Sequence, residues 1–184
     1  MARTTRIAAA TVAEAYLALL KNRGIGRLFV NAGTDFAPVV EAYGRRPISG
    51  LDLPEIVLCA HENLAVSMAH GAYLGDGKPQ AVMLHTSVGT ANAVCGVLTA
   101  ARSRVPLLVT AGRTPLFEDG PSGARDAGIH WAQELYDQAG MLRELVKWDY
   151  ELRDAVQVET VVDRALDVAR TQPAGPVSDL VSDT

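Results

Sequence analysis

The chain has 184 residues, of which 48% are apolar and 21% charged, with a formal net charge of -4. That length suits one domain that buries about two-thirds of its unfolded surface. The composition argues against a disordered chain, and with no basic excess there is no electrostatic case for nucleic-acid binding, so the expected partner is a small molecule or another protein.

The N-terminal "MARTTRIAAATVAEAYLALLKNRG" has two arginines and an alanine-rich run, but Glu14 interrupts the apolar part and no clean cleavage site follows. Val12, Ala15, Tyr16, Leu19 and Leu20 follow helical spacing instead, which predicts an amphipathic helix over 11–21 with Thr11 as N-cap and Gly24 as its stop. No apolar run approaches the roughly 20 residues of a membrane span, so a cytoplasmic protein with no membrane partner is expected. "RLFVNAG" reads as a short buried strand ending in a glycine turn, and "DFAPVVEAYGR" as a helix with Asp35 as a possible cap. The strand "EIVLCA", a helix over 62–74, the polar turn "GDGKP", the strand "QAVMLH", a loop "TSVGTAN", the small-residue helix "AVCGVLTAARSR" and the strand "VPLLVTAG" follow in turn.

Residues 113–130 break this rhythm with glycine, proline and charge, as either a functional loop or a plain surface connection. "WAQELYDQAGMLRELVKWDYEL" returns to helical and then extended character, "AVQVETVVDRALDVARTQP" is an amphipathic helix, and "AGPVSDLVSDT" should be a last, unusually polar strand. Alternating strands and helices with short connections predict an α/β fold: an open parallel sheet flanked by helices on both faces, because parallel strands need crossovers and the crossovers cover both faces.

Familiar templates fail. Cys59 and Cys95 lie apart in apolar runs, which points to two reduced core residues rather than a zinc knuckle or a disulfide. His61-Glu62 begins a zinc-protease motif, but Ala65 stands where the second histidine would be, and His70 is too far along, so no metal ligand is expected. What remains is position. Ligands of open parallel sheets gather at the carboxyl ends of strands, and "VNAGTD", "CAHEN" and "LHTSVGTAN" put glycine and polar side chains at three such ends.

These stretches also carry a resemblance. From about Thr11 to Val177, through "AEAYLALLKNRGIGRLFVNAGTDFAPVVEA", "AHENLAVSMAHGAYLGDGKPQAVMLHTSVGTANAVCGVLTAARSRVPLLVTAG" and "KWDYELRDAVQVETVVDRALDVARTQPAGPV", the chain resembles the N-terminal pyrimidine-binding domain of thiamine diphosphate enzymes of the acetolactate synthase, benzoylformate decarboxylase and pyruvate oxidase group. The resemblance implies that Glu62 hydrogen-bonds the pyrimidine ring nitrogen, drives the aminopyrimidine to its imino tautomer and so promotes formation of the ylide. That chemistry needs a carboxyl group in an apolar, water-poor site, and Cys59, Ala60, Leu64 and Ala65 are the expected apolar neighbours. It further implies that Ala32, Gly33, Gly89 and Asn92 line the cofactor pocket. His85 looks like the histidine with which the benzoylformate decarboxylase branch handles protons on the substrate. Thr34 stands where that branch has a serine contacting the substrate carboxylate, with a helix cap as the alternative, and Thr86 adjoins the same subsite.

Full-length members add a middle domain and a domain that binds the diphosphate and Mg²⁺ through Gly-Asp-Gly. Gly75-Asp76-Gly77 sits in a turn of the first domain with no following Asn pair, so no metal site is expected there. The expectation is a single pyrimidine-binding domain over 1–184, working with a partner chain that supplies the diphosphate-binding domain, in a homo- or hetero-oligomer. A non-catalytic dimerisation or regulatory module remains the alternative, as does an acetolactate synthase-like or 2-hydroxyacyl-CoA lyase-like subunit.

Overall fold

The structure is a computed structural model that describes residues 7–115, 117–120, 124 and 128–181, with Ile129 and His130 described by their backbone alone. Its centre is a six-stranded sheet in the order β2-β1-β3-β4-β6-β5, formed by β1 (Arg27–Asn31), β2 (Glu55–Leu58), β3 (Gln80–Leu84), β4 (Leu107–Gly112), β5 (Asp149–Leu152) and β6 (Val177–Val181). Every neighbouring pair is parallel. Among the described residues six α-helices accompany it: α1 (Val12–Asn22), α2 (Ala37–Ser49), α3 (Glu62–Asp76), α4 (Thr86–Arg102), α5 (Gly128–Ala132) and α6 (Val158–Arg170).

The pleat divides the core in two. Leu28, Val30, Ala81, Met83, Leu108 and Val177 face α1, α2 and α6, while Phe29, Val82, Leu84, Leu107, Val109 and Leu180 face α3 and α4. Because both faces are covered, β3 and β4 are buried along their whole length, which is why they read as unbroken apolar runs. The expected doubly covered parallel sheet is therefore found.

Local signals explain most element ends. Thr11 caps α1 by accepting the Glu14 amide, and Gly24 follows it at φ +91°. Gly77 closes α3 at φ +68°, a conformation that glycine adopts without steric cost. Gly75 and Asp76 thus belong to the last turn of α3, and the expected turn shortens to Gly77–Pro79, a helix-to-strand connection at the amino ends of the strands.

Several expectations are corrected. The loop "TSVGTAN" is the first two turns of α4, which starts at Thr86. Its small residues are there for packing rather than for turning: a Cβ on Gly89 would lie 3.3 Å from Leu84 Cβ, and one on Gly96 would lie 2.9 Å from Val66 Cβ. Helix α2 runs past Gly44 and Pro47 to Ser49 and ends at Gly50, φ +65°. Asp35 does not cap it; Asp35 lies in a 3-10 turn over Thr34–Phe36, with its carboxylate turned into the protein. Cys59 is buried as expected, but Cys95 is exposed on the outer face of α4. The polar segment "VSDLV" is an inner strand, buried between β4 and β5, while the end of "AGPVSDLVSDT" and part of the 113–130 excursion fall outside the described residues.

Candidate active site

β1 pairs with β2 on one side and β3 on the other, so the chain reverses its direction of travel across the sheet between β1 and β3. The carboxyl ends on either side of such a switch point leave a crevice, the usual ligand position in open α/β sheets. The residues singled out in the sequence fall around it in two groups.

The first group is built by α3 and α4. His61 is extended and caps α3, its Nδ1 accepting the Asn63 amide at 3.1 Å. Glu62 follows as the first helical residue and is only 8% exposed. Asn92, two turns into α4, donates from Nδ2 to Glu62 Oε2 at 3.0 Å, and His61 Nδ1 stands 3.8 Å from the same oxygen. No hydrogen bond to Glu62 Oε1 is formed among the described residues. Gly89 lies against the same carboxyl side chain, since a Cβ there would make ordinary contact with Glu62 Cγ at 3.6 Å. Of the four expected apolar neighbours, Cys59 and Ala65 are buried, whereas Ala60 and Leu64 are exposed.

The second group gathers at the ends of β1, β3 and β4. His85, between β3 and α4, places Nδ1 2.7 Å from Asp35 Oδ1 and Nε2 3.3 Å from the Gln133 side-chain nitrogen. Asp35 Oδ2 accepts the Thr86 amide at 3.3 Å. Burial pushes the Asp35 carboxyl above its ordinary range, against the opposing pull of His85 and the Thr86 amide. Two glycines make room: a Cβ on Gly33 would stand 2.2 Å from His85 Cγ, and one on Gly112 would stand 1.9 Å from Asp35 Oδ2. Thr86 itself adopts φ +40°, and Thr90 Oγ1 donates to its carbonyl at 2.8 Å.

The segment after α5 closes over this group. Ser87 Oγ donates to the Gln133 carbonyl at 2.5 Å, and buried Gln138 donates to Thr90 Oγ1 and to the Gly112 carbonyl at 3.1 and 3.0 Å. Ala32 and Thr34 are exposed at the end of β1, and Gly33 is half-buried. Asn31 Nδ2 ties the same end to β2 by donating to the Cys59 carbonyl at 2.9 Å.

Glu62, Gly89 and Asn92 are thus brought into contact, as are Gly33, His85 and the backbone of Thr86. Sequence reasoning missed Asp35, Gly112 and Gln133, whose roles depend on contacts between residues far apart in the chain, 50 positions for Asp35 and His85 and 48 for His85 and Gln133. Gly75-Asp76-Gly77 lies at the opposite end of the strands, where Asp76 Oδ1 accepts the Lys78 amide at 2.9 Å. A polar groove of about 260 Å³ lies there too, lined by Arg27, Glu55, Asp76, Lys78 and Gln80 among others, and it is separate from the crevice.

Comparison with known proteins identifies the family. The family model described as "Thiamine pyrophosphate enzyme, N-terminal TPP binding domain" matches residues 10–141. Sulfoacetaldehyde acetyltransferase of Rhodobacter capsulatus is 30% identical over 164 residues, covering 89% of this chain and 25% of that protein. Benzoylformate decarboxylase of Pseudomonas aeruginosa is 29% identical over 170 residues, covering 91% of this chain and 29% of that protein. Among solved structures, the thiamine diphosphate-dependent 4-hydroxybenzoylformate decarboxylase of Rhodococcus jostii RHA1 superposes with a TM-score of 0.73 at 28% identity, over 94% of this chain and 30% of that one. The chain therefore spans between a quarter and a third of these relatives. With a family match over 10–141 and the same fold in its solved relatives, the chain belongs to the thiamine pyrophosphate enzymes, as their N-terminal TPP binding domain.

Proposed function

We propose that these 184 residues are the pyrimidine-binding part of a thiamine diphosphate-dependent enzyme that decarboxylates or ligates a 2-oxo acid or a related acyl donor. The observation that carries this reading is Glu62, buried at the crevice with Oε2 engaged by Asn92 and Oε1 accepting nothing from the described residues. The residues fit the pyrimidine end of the cofactor: a carboxyl oxygen is available at the crevice, on a carboxyl group that Asn92 orients from its other oxygen. When bound, thiamine diphosphate supplies a nucleophilic thiazolium carbon and an electron sink.

Glu62 would present Oε1 to the pyrimidine ring nitrogen and exchange a proton there, with Asn92 orienting the carboxyl group from Oε2. The backbone at Ala32, Gly33 and Gly89 lines the ring's pocket. His85 moves protons on the substrate, and the Thr34 and Thr86 hydroxyls address its carboxylate. Two observations favour this role for His85: it follows directly on a strand end at the switch point, and both its ring nitrogens have polar neighbours. No cluster of three or more His, Cys, Asp or Glu suited to a metal occurs among the described residues. Because the matched stretch makes up only 25% to 30% of the relatives, we assign the diphosphate and Mg²⁺ to sequence outside these 184 residues, on a partner chain in a homo- or hetero-oligomer.

The test is release of CO₂ from aromatic and aliphatic 2-oxo acids by the chain assembled with that partner, in thiamine diphosphate and Mg²⁺. Glu62→Gln is expected to lower kcat by roughly 10²- to 10⁴-fold, the range of a positioned proton-transfer group. Full activity in that variant would overturn the role given to Glu62.

A further inference from the structure

The side chain of Asp35 is committed at both oxygens. Oδ2 accepts the Thr86 amide at 3.3 Å, which orients the carboxylate, and this aims Oδ1 at His85 Nδ1, 2.7 Å away. The arrangement occupies space that a side chain at Gly33 or Gly112 would deny it, since the Cβ atoms would fall 2.2 and 1.9 Å from the ring and the carboxylate. On the far side of the ring, Nε2 faces the Gln133 amide nitrogen at 3.3 Å. An amide nitrogen only donates, so its natural partner is a ring nitrogen with a free lone pair, while a carboxylate whose Oδ2 accepts a backbone amide offers Oδ1 as a second acceptor and asks for N–H at Nδ1. Both neighbours select the same imidazole tautomer.

We propose that Asp35 is a positioning residue that, with Gln133, fixes His85 as the Nδ1–H tautomer and keeps Nε2 a base turned toward the reacting substrate. This rests on the reading of His85 given above. The Gln133 amide occupies Nε2 until a substrate hydroxyl replaces it. The proton that Nε2 then takes from that hydroxyl makes an imidazolium, whose charge the Asp35 carboxylate offsets, and return of the same proton to the substrate restores the neutral ring.

The tautomer can be read without cofactor or turnover. In the ¹⁵N-labelled chain, two-bond proton–nitrogen correlations, assigned by loss of the His85 signals in His85→Gln, are expected to show a pyrrole-type Nδ1 and a pyridine-type Nε2. In Asp35→Asn the side-chain oxygen keeps the Thr86 amide and its NH₂ faces Nδ1 as a donor, so the tautomer inverts to Nε2–H. Gln133→Ala leaves the acceptor in place, so Nδ1–H persists; this variant keeps the question open to test should Asp35→Asn fail to fold. Nε2–H in the unmodified chain, no change in Asp35→Asn, or inversion in Gln133→Ala would each overturn the proposal.

In the assembled enzyme, Asp35→Asn should lower kcat by roughly 10²-fold or more with KM little changed, because the wrong tautomer disables proton transfer rather than binding. Full turnover in Asp35→Asn beside an inactive Glu62→Gln would remove the positioning role and leave the enzyme reading intact. Absence of any thiamine diphosphate-dependent turnover in the unmodified assembly would remove that reading, while the tautomer measurement would still decide the inference.

Discussion

Asp35 and Asp179 are 6% and 0% exposed, and burial pushes both carboxyls above their ordinary range, yet their surroundings differ. Asp35 sits at the carboxyl rim of the sheet with an imidazole on one oxygen and a backbone amide on the other. Asp179 lies in the middle of β6, opposite Thr110 of β4 and Tyr150 of β5, and neither oxygen meets a donor among the described residues. The Tyr16 hydroxyl, on the same face, is paired with Thr110 Oγ1 at 2.5 Å, and burial together with Asp179 pushes its phenol well up. With nothing to offset desolvation, Asp179 is pushed up to about 8. Glu14 completes the series. It is as buried as Asp179, at 1% exposed, but the Ala10 amide at 2.7 Å and Arg45 at 2.9 Å hold its carboxyl below the ordinary range. Burial sets the cost of a charge, and the donors reaching it decide whether the charge persists.

The largest expected effect comes from removing the acid that has no partner. Unfolded, the Asp179 carboxyl ionises near its ordinary 3.8; folded, it keeps its proton to about 8. Between these values the unfolded state binds fewer protons, so this group makes stability fall as pH rises from about 4 to 8 and adds no further slope above that. At about 1.4 kcal/mol per unit, the change is on the order of 6 kcal/mol. Asp179→Val suits an inner strand and should raise the urea midpoint strongly at pH 8 and far less at pH 4. An unchanged pH slope in the variant would mean that Asp179 finds a donor in solution and that the contrast with Asp35 is lost.

Gly112→Ala tests the other member of the pair. The new Cβ would fall on Asp35 Oδ2, and both oxygens of that carboxylate are already held, so the clash cannot be relieved without breaking the pairing. A loss of about 3 kcal/mol is expected, in the upper range for overpacking a tight site, together with loss of the fixed His85 tautomer. Unfolding by denaturant and the nitrogen spectrum read the two outcomes separately, and a stable protein with an intact tautomer would show that the rim relaxes more easily than the geometry implies.

The same contrast separates what the sequence discloses from what it hides. The β-α alternation was legible because each inner strand, buried on both faces, needs an apolar run, and because Thr11, Gly24 and Gly77 mark helix ends by local stereochemistry. Glu62 and His85 stand out in the sequence as candidates by position: His85 directly follows β3, and Glu62 opens the helix that follows β2. Asp35 was open to misreading because an aspartate before "FAP" makes a plausible cap, and nothing nearby in sequence reveals that β3 and β4 end beside it. "TSVGTAN" looks like a loop for a related reason: small residues favour turns locally, and the closeness of α4 to Leu84 at Gly89 is not visible in the sequence. In β6, Ser178 and Asp179 oppose the apolar pattern of an inner strand, so the strand is placed by its pairing with β4 rather than by its own residues.

The smallest effect should come from Glu14, and it tests which donor matters. Its depressed carboxyl contributes stability above the ordinary value of 4.5, and this is lost as pH falls through the folded value. Arg45→Met removes the guanidinium but leaves the Ala10 amide, the larger cause of the depression, and Arg45 is itself 42% exposed, so solvent and salt weaken its share. The acid limb of unfolding, followed by circular dichroism, should move slightly toward higher pH, and the shift should shrink in high salt. An unmoved limb would mean that a single well-placed amide suffices to keep a buried carboxylate charged. The distance from amide to carboxylate, 2.7 Å at Glu14 against 3.3 Å at Asp35, would then be what leaves Asp35 dependent on His85.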